Sequence, residues 1–349
     1  MTRVFIIVGF FACITVFLIY RFSTSNNQSP VTRNTSTTYP SPTTPPLPQQ
    51  KILSNDYHIF QTFNNCGPAA LSMALSYYGI VQSQAVLGEA LRPYQHPLGD
   101  NDDKSVTLEE LARKSTEYNL IPYHRANGSI KLLKQFIAAD MPVVTRTWLG
   151  VDNDIGHYRV VKGYDAVTGE IIQDDSLQGA NLRYSYDDFL AMWEKFNYEY
   201  VVLVPPEKDN RARAILGNNV HAEWAWAQAK LQAQEKLDSN PNDTYARFNL
   251  SVAMYHTQDY EGAIREFEEV ETQLPWRTLW YQTEPIEAYF AVGNYTKVFE
   301  VTDTVLNNHN RAFSELYVLR GKAYEQLGDN EAAQAEFEKA RQYNIHLTL

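Results

Sequence analysis

Chemistry in this chain is concentrated around Cys66, in the stretch Gln61-Thr-Phe-Asn-Asn-Cys66-Gly-Pro-Ala-Ala. A run that reads as a helix follows at once, ending near Tyr78 and closed by Gly79. Pro68 suits the first helical turn, where an N–H would lack a partner, and Gly79 suits the position just past the end. Cys66 then stands at a helix N-terminus, where the macrodipole favours an anion and hence a thiolate. Gln61, five residues earlier, could aim its side-chain amide at the same spot. A thiolate beside such a donor is half of a nucleophilic site that stabilises a developing oxyanion. The alternative for a lone cysteine is an inert buried residue.

A cysteine nucleophile needs a base, and the base needs an orienting group. Of the eight histidines, His58 closely precedes the cysteine, His96 and His124 fall in stretches that read as loops, and His221, His256, His309 and His346 lie in the helical C-terminal part. His157 follows Gly156 at the start of an apparent strand that turns over 165–169 and returns as Ile171-Ile172-Gln173-Asp174-Asp175. A hairpin brings the end of its second strand beside the start of its first, so a carboxylate there could hold the imidazole. With the turn centred near Val167, opposed residues share parity and Asp175 faces the side of His157. A slip of one residue hands the role to Asp174. A histidine that merely satisfies the structure is the alternative, and what argues against it is the conjunction of Gln61, Cys66, His157 and the paired aspartates.

The elements that must position these groups read as a mixed α/β domain over 51–206. After the Cys66 helix come helices over Gln84–Leu91, from the capping box Thr107-Leu-Glu-Glu110 to about Tyr118, over Ser129–Ala139, and from Ser185 to Trp193. The runs Pro142–Trp148, His157–Tyr164, Glu170–Gln173 and Tyr198–Val204 are β-branched and aromatic and read as strands. The acidic loop with Asp100, Asp102 and Asp103 lacks the spacing of a calcium loop and reads as solvated. No metal and no organic cofactor is implied.

Ahead of this domain, Arg3 precedes an uncharged apolar run from Val4 to Tyr20, ended by Arg21. It is at the lower limit for crossing a bilayer, about 17 residues, and no small-residue cleavage pattern follows. We read 1–21 as a single-pass signal-anchor and the Ser/Thr/Asn/Pro-rich 22–50 as a tether that cannot bury enough surface to fold. That layout predicts a membrane-tethered protein with its globular parts outside the cytoplasm. The net charge of −11 argues against nucleic acid as a partner, while 44% apolar residues suffice for a real core. Cys13 lies inside the apolar run, so Cys66 has no disulfide partner in its own domain.

From about 211 the texture is helical only. A 35-residue period sets Ala263, Val298 and Ala333 in register, each preceded at the turn by Asp259, Asn294 or Asp329, with Phe267 and Phe337 at a shared offset. The helix Glu223–Leu237 fits half of an incomplete unit. The period resembles the tetratricopeptide repeat (TPR), most closely in the last copy from Leu319 to Ala340; the middle copy departs from it, with Pro285 in its first helix. The resemblance implies an all-α module over 211–349 made of stacked hairpins with a groove for a protein partner or substrate. Trp224, Trp226, Trp276 and Trp280 read mainly as packing at the start of the stack and between domains.

Residues 57 to about 204 resemble the papain-like cysteine peptidases that process the double-glycine leader peptides of bacteriocins, in their peptidase-like branch. Gln61-x4-Cys66-Gly-Pro-Ala-Ala-Leu resembles the family's glutamine and nucleophile block, Gly156-His157-Tyr-Arg-Val-Val-x-Gly-Tyr-Asp its histidine strand, and Asp175-Ser176-x-x-Gly179 its Asp-Pro-x-x-Gly block with Ser176 in place of proline. The resemblance implies an α+β papain-like domain, with Cys66 as nucleophile, His157 as base, Asp175 as its orienter and Gln61 as oxyanion donor. It implies hydrolysis of peptide bonds in a peptide or protein substrate. Members that process leaders carry the domain on a transporter; this sequence holds no transporter region, so leader processing is not carried over. The alternative from another class is an inactive surface adaptor that keeps the fold and binds peptides through it and the repeats.

Overall fold

The structure, a computed structural model, describes residues 46–93 and 106–347. The anchor read over 1–21, the tether as far as residue 45, and the acidic loop with Asp100, Asp102 and Asp103 lie outside the described residues. Among the described residues no helix is long and apolar enough to cross a membrane.

The first part of the described chain is built on one antiparallel sheet. Its strands are β1 (Gln50–Ile52), β2 (Ile121–Arg125), β3 (Val143–Gly150), β4 (Asn153–Asp165), β5 (Glu170–Asp175), β6 (Gly179–Ser185) and β7 (Tyr200–Val204), in the order β2-β7-β3-β4-β5-β6. The long β4 is the spine. Its first half pairs with β3, its second half with β1 along the same edge, and β5 lies on its other edge. Helices α1 (Cys66–Ser76), α2 (Gln84–Leu91) and α3 (Leu108–Ser115) cover one face; α4 (Ile130–Ala138) and α5 (Tyr186–Trp193) cover the other.

Strict alternation along the central strands supplies both cores. Val144, Val160, Val201 and Leu203 pack with Leu71, Met73 and Leu75 of α1. Val143, Val161, Tyr200, Val202 and Val204 pack with Phe136 of α4 and Trp193 of α5. Near-continuous apolar runs in β3, β4 and β7 follow from burial on both faces. Local signals fix the helix starts: Thr107 and Glu110 form the capping box ahead of α3, and Ser129 and Ser185 accept from the backbone at α4 and α5.

Three strands escape the sequence reading. β1 begins at Gln50, the last residue assigned to the tether, and β2 carries His124, which read as a loop residue. There the His124 Nε2–H donates to Glu199 Oε1 at 2.7 Å. β6 is an edge strand with a largely polar, exposed sequence, so it lacks the apolar signature of its neighbours.

The rest is helical: α6 (Asp209–Leu216), α7 (Ala222–Ser239), α8 (Thr244–His256), α9 (Tyr260–Glu268), α10 (Thr278–Tyr281), α11 (Glu284–Ala291), α12 (Tyr295–Asn308), α13 (Ser314–Gln326) and α14 (Asn330–Tyr343). At the turn of each of three hairpins, Asp259, Asn294 and Asp329 cap α9, α12 and α14 by accepting from a backbone N–H three residues on. Ala263, Val298 and Ala333 are buried where the paired helices meet. Pro285 lies in the first turn of α11 and so leaves that helix unbroken. Trp226 is buried and stacks on His256 with centroids 3.8 Å apart, whereas Trp224 and Trp276 are exposed.

The helical part and the sheet domain form one compact unit over 46–349. Contacts across their boundary are aromatic and polar. Trp148 meets Tyr245 edge to face at 4.8 Å, Arg277 pairs with Asp154 at 3.1 Å, Asn197 Nδ2 donates to the Asn249 carbonyl, and Asn249 Nδ2 donates to the Glu194 carbonyl.

Close approach of β1 to β4 depends on Gly163, where a Cβ would lie 2.9 Å from the Lys51 carbonyl oxygen and 3.2 Å from the Ile52 Cα. Gly163→Ala is expected to push β1 outward and destabilise the fold by about 1–3 kcal/mol, read as a lowered urea midpoint.

Candidate active site

Cys66 is the first residue of α1. The loop that delivers it is pinned by α2. Gln84 Nε2 donates to the Phe60 carbonyl at 2.7 Å, and Gln84 Oε1 accepts from Thr62 N–H at 2.9 Å. Arg92, just past α2, donates to the Asn64 carbonyl. Asn64 takes φ of 55°, the left-handed conformation that asparagine tolerates and that turns the chain into the helix. Gly88 is required beneath this loop, since a Cβ there would stand 2.6 Å from Asn65 Oδ1.

The Cys66 thiol lies beside the ring of His157, close enough that the ring lowers the thiol. The other side of that ring is occupied: Nε2–H donates to Asp175 Oδ1 at 2.9 Å, which leaves Nδ1 for the sulfur. His157 is 2% exposed and Asp175 fully buried, while Cys66 is half-buried. The three side chains thus run from a half-buried cysteine to a carboxylate deep in the sheet.

Asp175 has more partners than the sequence revealed. The buried Arg159, directly opposite it on β4, places Nε 3.0 Å from Oδ2. The Leu177 and Gln178 backbone N–H groups donate to Oδ1 at 2.7 and 2.8 Å. His58 Nε2–H donates to the Asp175 main-chain carbonyl at 2.9 Å. Arg159 itself donates to the Trp148 and Leu149 carbonyls at the end of β3. Asp174 points elsewhere, to Lys162 Nζ at 2.9 Å.

The choice between these aspartates comes from a bulge. Near the turn the register is Asp165↔Glu170 and Gly163↔Ile172; beyond Lys162 it becomes Val161↔Gln173 and Arg159↔Asp175. The turn is therefore centred between Val167 and Thr168, half a residue past the expected point. An unshifted hairpin would face Asp174 toward His157. The extra residue, Lys162, restores the parity that brings Asp175 there, and then neutralises Asp174 on the opposite side.

Gln61 is held by Ser176. Gln61 N–H donates to the Ser176 carbonyl at 2.7 Å, and the Ser176 hydroxyl donates to Gln61 Oε1 at 2.8 Å. With its carbonyl oxygen engaged, the Gln61 amide has its –NH₂ left to donate. Serine in a position where the resembled block has proline thus has a structural reason, one that sequence inspection of that block alone could not supply.

Electrostatics favour an ion pair. Burial by itself would raise the Cys66 thiol, but its hydrogen bond to His157, the charge of that ring, the more distant Arg92 and the Gly67 N–H together lower it. Burial opposes the charged form of His157, yet hydrogen bonds to Asp175 and Cys66 raise it above the ordinary imidazole range. Asp175 is penalised by burial too, but His157, Arg159 and the Gln178 N–H bring it down to about 2. Both shifts run toward a thiolate–imidazolium pair, and such a pair can attack a carbonyl and pass a proton to a leaving group. Among the described residues no cluster of three His, Cys, Asp or Glu side chains could hold a metal ion.

The two aspartates are separable by experiment. Asp175→Asn leaves Arg159 buried without its counter-charge and is expected to cost about 3–5 kcal/mol of stability. Because the folded carboxyl is depressed, its contribution is complete above the unfolded value near pH ~4 and is lost as pH falls through about 2. The stability gap between wild type and Asp175→Asn is therefore expected to close over that acid window in urea titrations. Alkylation of Cys66 followed against pH should inflect below the ordinary thiol value of ~8.5, move upward in Asp175→Asn, and stay in place in Asp174→Asn.

No curated protein matches the chain in sequence. Among solved structures, a putative C39-like peptidase from Bacillus anthracis is similar over 44% of this chain and 97% of its own, at 20% identity and a TM-score of 0.36. The peptidase domain of Streptococcus ComA, a bi-functional ABC transporter involved in a quorum sensing pathway, covers 42% and 96% at 20% identity and a TM-score of 0.33. A double glycine motif protease from an AMS/PCAT transporter, in complex with its leader peptide, covers 44% and 92% at 15% identity and a TM-score of 0.32. Residues 43–201, which hold Gln61, Cys66, His157 and both aspartates, match the model of the Peptidase_C39 like family.

Proposed function

We propose that the chain is a cysteine peptidase in which Cys66 is the nucleophile, His157 the acid–base group, Asp175 its orienter and Gln61 the oxyanion donor. The observation that carries this reading is the buried hydrogen bond from His157 to Asp175 at 2.9 Å, with the Cys66 thiol beside the same ring. The family match over 43–201 supports it from the side of sequence.

In the reaction the Cys66 thiolate attacks a peptide carbonyl carbon, forming the C–S bond and moving the π electrons to the oxygen. The Gln61 amide donates to that oxygen. The His157 imidazolium gives its proton to the leaving nitrogen as the C–N bond breaks, leaving a thioester. Neutral His157 then takes a proton from water, whose oxygen attacks the thioester, and collapse releases the acid and restores the thiolate. Asp175 holds the ring so that one nitrogen always faces the sulfur, and it stabilises the imidazolium without taking the proton.

The helical part is, in this reading, a TPR-like module that recruits a protein partner or brings in the substrate. Its 35-residue spacing of caps at Asp259, Asn294 and Asp329 supports that assignment. The apolar run before Arg21 would tether the molecule to a membrane with both globular parts extracytoplasmic.

Fast labelling of Cys66 by iodoacetamide at neutral pH, slowed strongly in His157→Ala, is the expected result; slow labelling indifferent to that substitution would leave an adaptor with a papain-like fold. Hydrolysis itself is read by mass spectrometry of new N-termini in a mixed peptide pool. These should appear with wild type, vanish with Cys66→Ala, and fall by about 10²- to 10³-fold in rate with Gln61→Ala. Ser176→Ala is expected to lower acylation by p-nitrophenyl acetate, which passes through an oxyanion, while sparing alkylation by iodoacetamide, which does not.

A further inference from the structure

We propose that Tyr281, carried by the helical module, forms one wall of the Cys66 site and limits the bulk of the acyl group that fits beside the sulfur. This rests on the reading of Cys66 as a nucleophile, and it makes the helical module part of the cleft as well as a means of recruitment.

The ring of Tyr281 lies against Gly156, the residue immediately before His157. A Cβ at position 156 would stand 3.0 Å from the ring carbons Cδ1 and Cε1, so a side chain there would have to push the ring aside. Tyr281 lies within electrostatic reach of the Cys66 sulfur. The side chain remains half-buried, so part of it stays open to an incoming group.

The short helix α10 that carries Tyr281 is fastened to the sheet domain at both ends. Ahead of it, Arg277 Nη1 pairs with Asp154 Oδ1 at 3.1 Å, close to the start of β4. At its end, Arg146 of β3 donates to the Tyr281 carbonyl. Arg146 is 3% exposed, has Glu199 Oε2 3.7 Å away, and lies over the Phe196 ring at 4.7 Å. Phe196 in turn meets Tyr281 edge to face at 6.2 Å. A cation on the last carbonyl of a helix is favourable, and here it fixes the position of the aromatic ring relative to His157. Ordinary domain packing would need none of this to converge on the residue next to the imidazole.

The test uses the full chain and two activated esters with a common leaving group, p-nitrophenyl acetate and p-nitrophenyl hexanoate. The readout is the hexanoate-to-acetate ratio of acylation rates, which cancels changes common to both. With Tyr281→Ala the ratio is expected to rise by about 10-fold or more. Tyr281→Phe, which keeps the ring, should stay near the wild-type ratio, and Tyr281→Trp should fall below it. A ratio that does not follow side-chain size, within about twofold across the series, would overturn the proposal. Should the alanine variant fail to fold, judged by circular dichroism, the Phe and Trp variants decide alone. If wild-type Cys66 takes up neither ester in a His157-dependent manner, the peptidase reading itself fails, and that outcome is distinct from an unchanged ratio.

Discussion

A carboxylate with no solvent around it needs its charge answered from within, and Asp175 is answered from every side. His157 and Arg159 face its two oxygens, two backbone N–H groups follow it in the chain, and the His58 ring holds its carbonyl. A single ion of this kind in an apolar interior would cost several kcal/mol, and the hydrogen bonds to Oδ1 together with the Arg159 charge beside Oδ2 offset it. Because these partners come from β4, from the chain just after Asp175 and from the segment ahead of α1, satisfying Asp175 also fixes those segments. The Arg159 guanidinium ties it to the end of β3, His58 to the strand-less segment ahead of α1, and His157 to the sulfur. Alignment of the candidate nucleophile is thus a by-product of neutralising one buried charge.

The same logic applies one residue earlier, with opposite direction. Asp174 and Asp175 are consecutive and project to opposite sides of β5, and each has its own cation on β4, Lys162 and Arg159. Both sides are buried, so a shifted register would pair neither correctly. Bulge and charge pairs reinforce one another: the bulge at Lys162 makes the pairing possible, and the pairing makes any other register costly.

Much of this was legible beforehand, and the failures have physical causes. Helices announced themselves through caps, as at Thr107, Ser129 and Asp259, and the buried strands through β-branched runs, because those signals are local. The group around Cys66, His157 and Asp175 was readable because a hairpin converts sequence distance into spatial proximity by simple counting. That count landed on the right parity from a turn centre half a residue off, since nothing in the sequence marks Lys162 as a bulge. Arg159 could have been found by the same counting, as the residue across from Asp175. Ser176 and His58 could not, because their partners lie more than a hundred residues away in one case and in the main chain in the other. Strands β1, β2 and β6 were missed as short or largely polar edge segments. Tyr281 lies further still from the groups it touches, and only the docking of α10 onto β4 brings it there.

Strand β7 is the last of the sheet in sequence yet lies in its interior, between β2 and β3. During synthesis this has an ordering effect. Cys66, His157 and Asp175 all leave the ribosome before the strand that flanks β3, so a nascent chain carries the reactive groups without the scaffold that aligns them. A fragment ending short of Val204 would hold the same three side chains without the complete sheet that positions them.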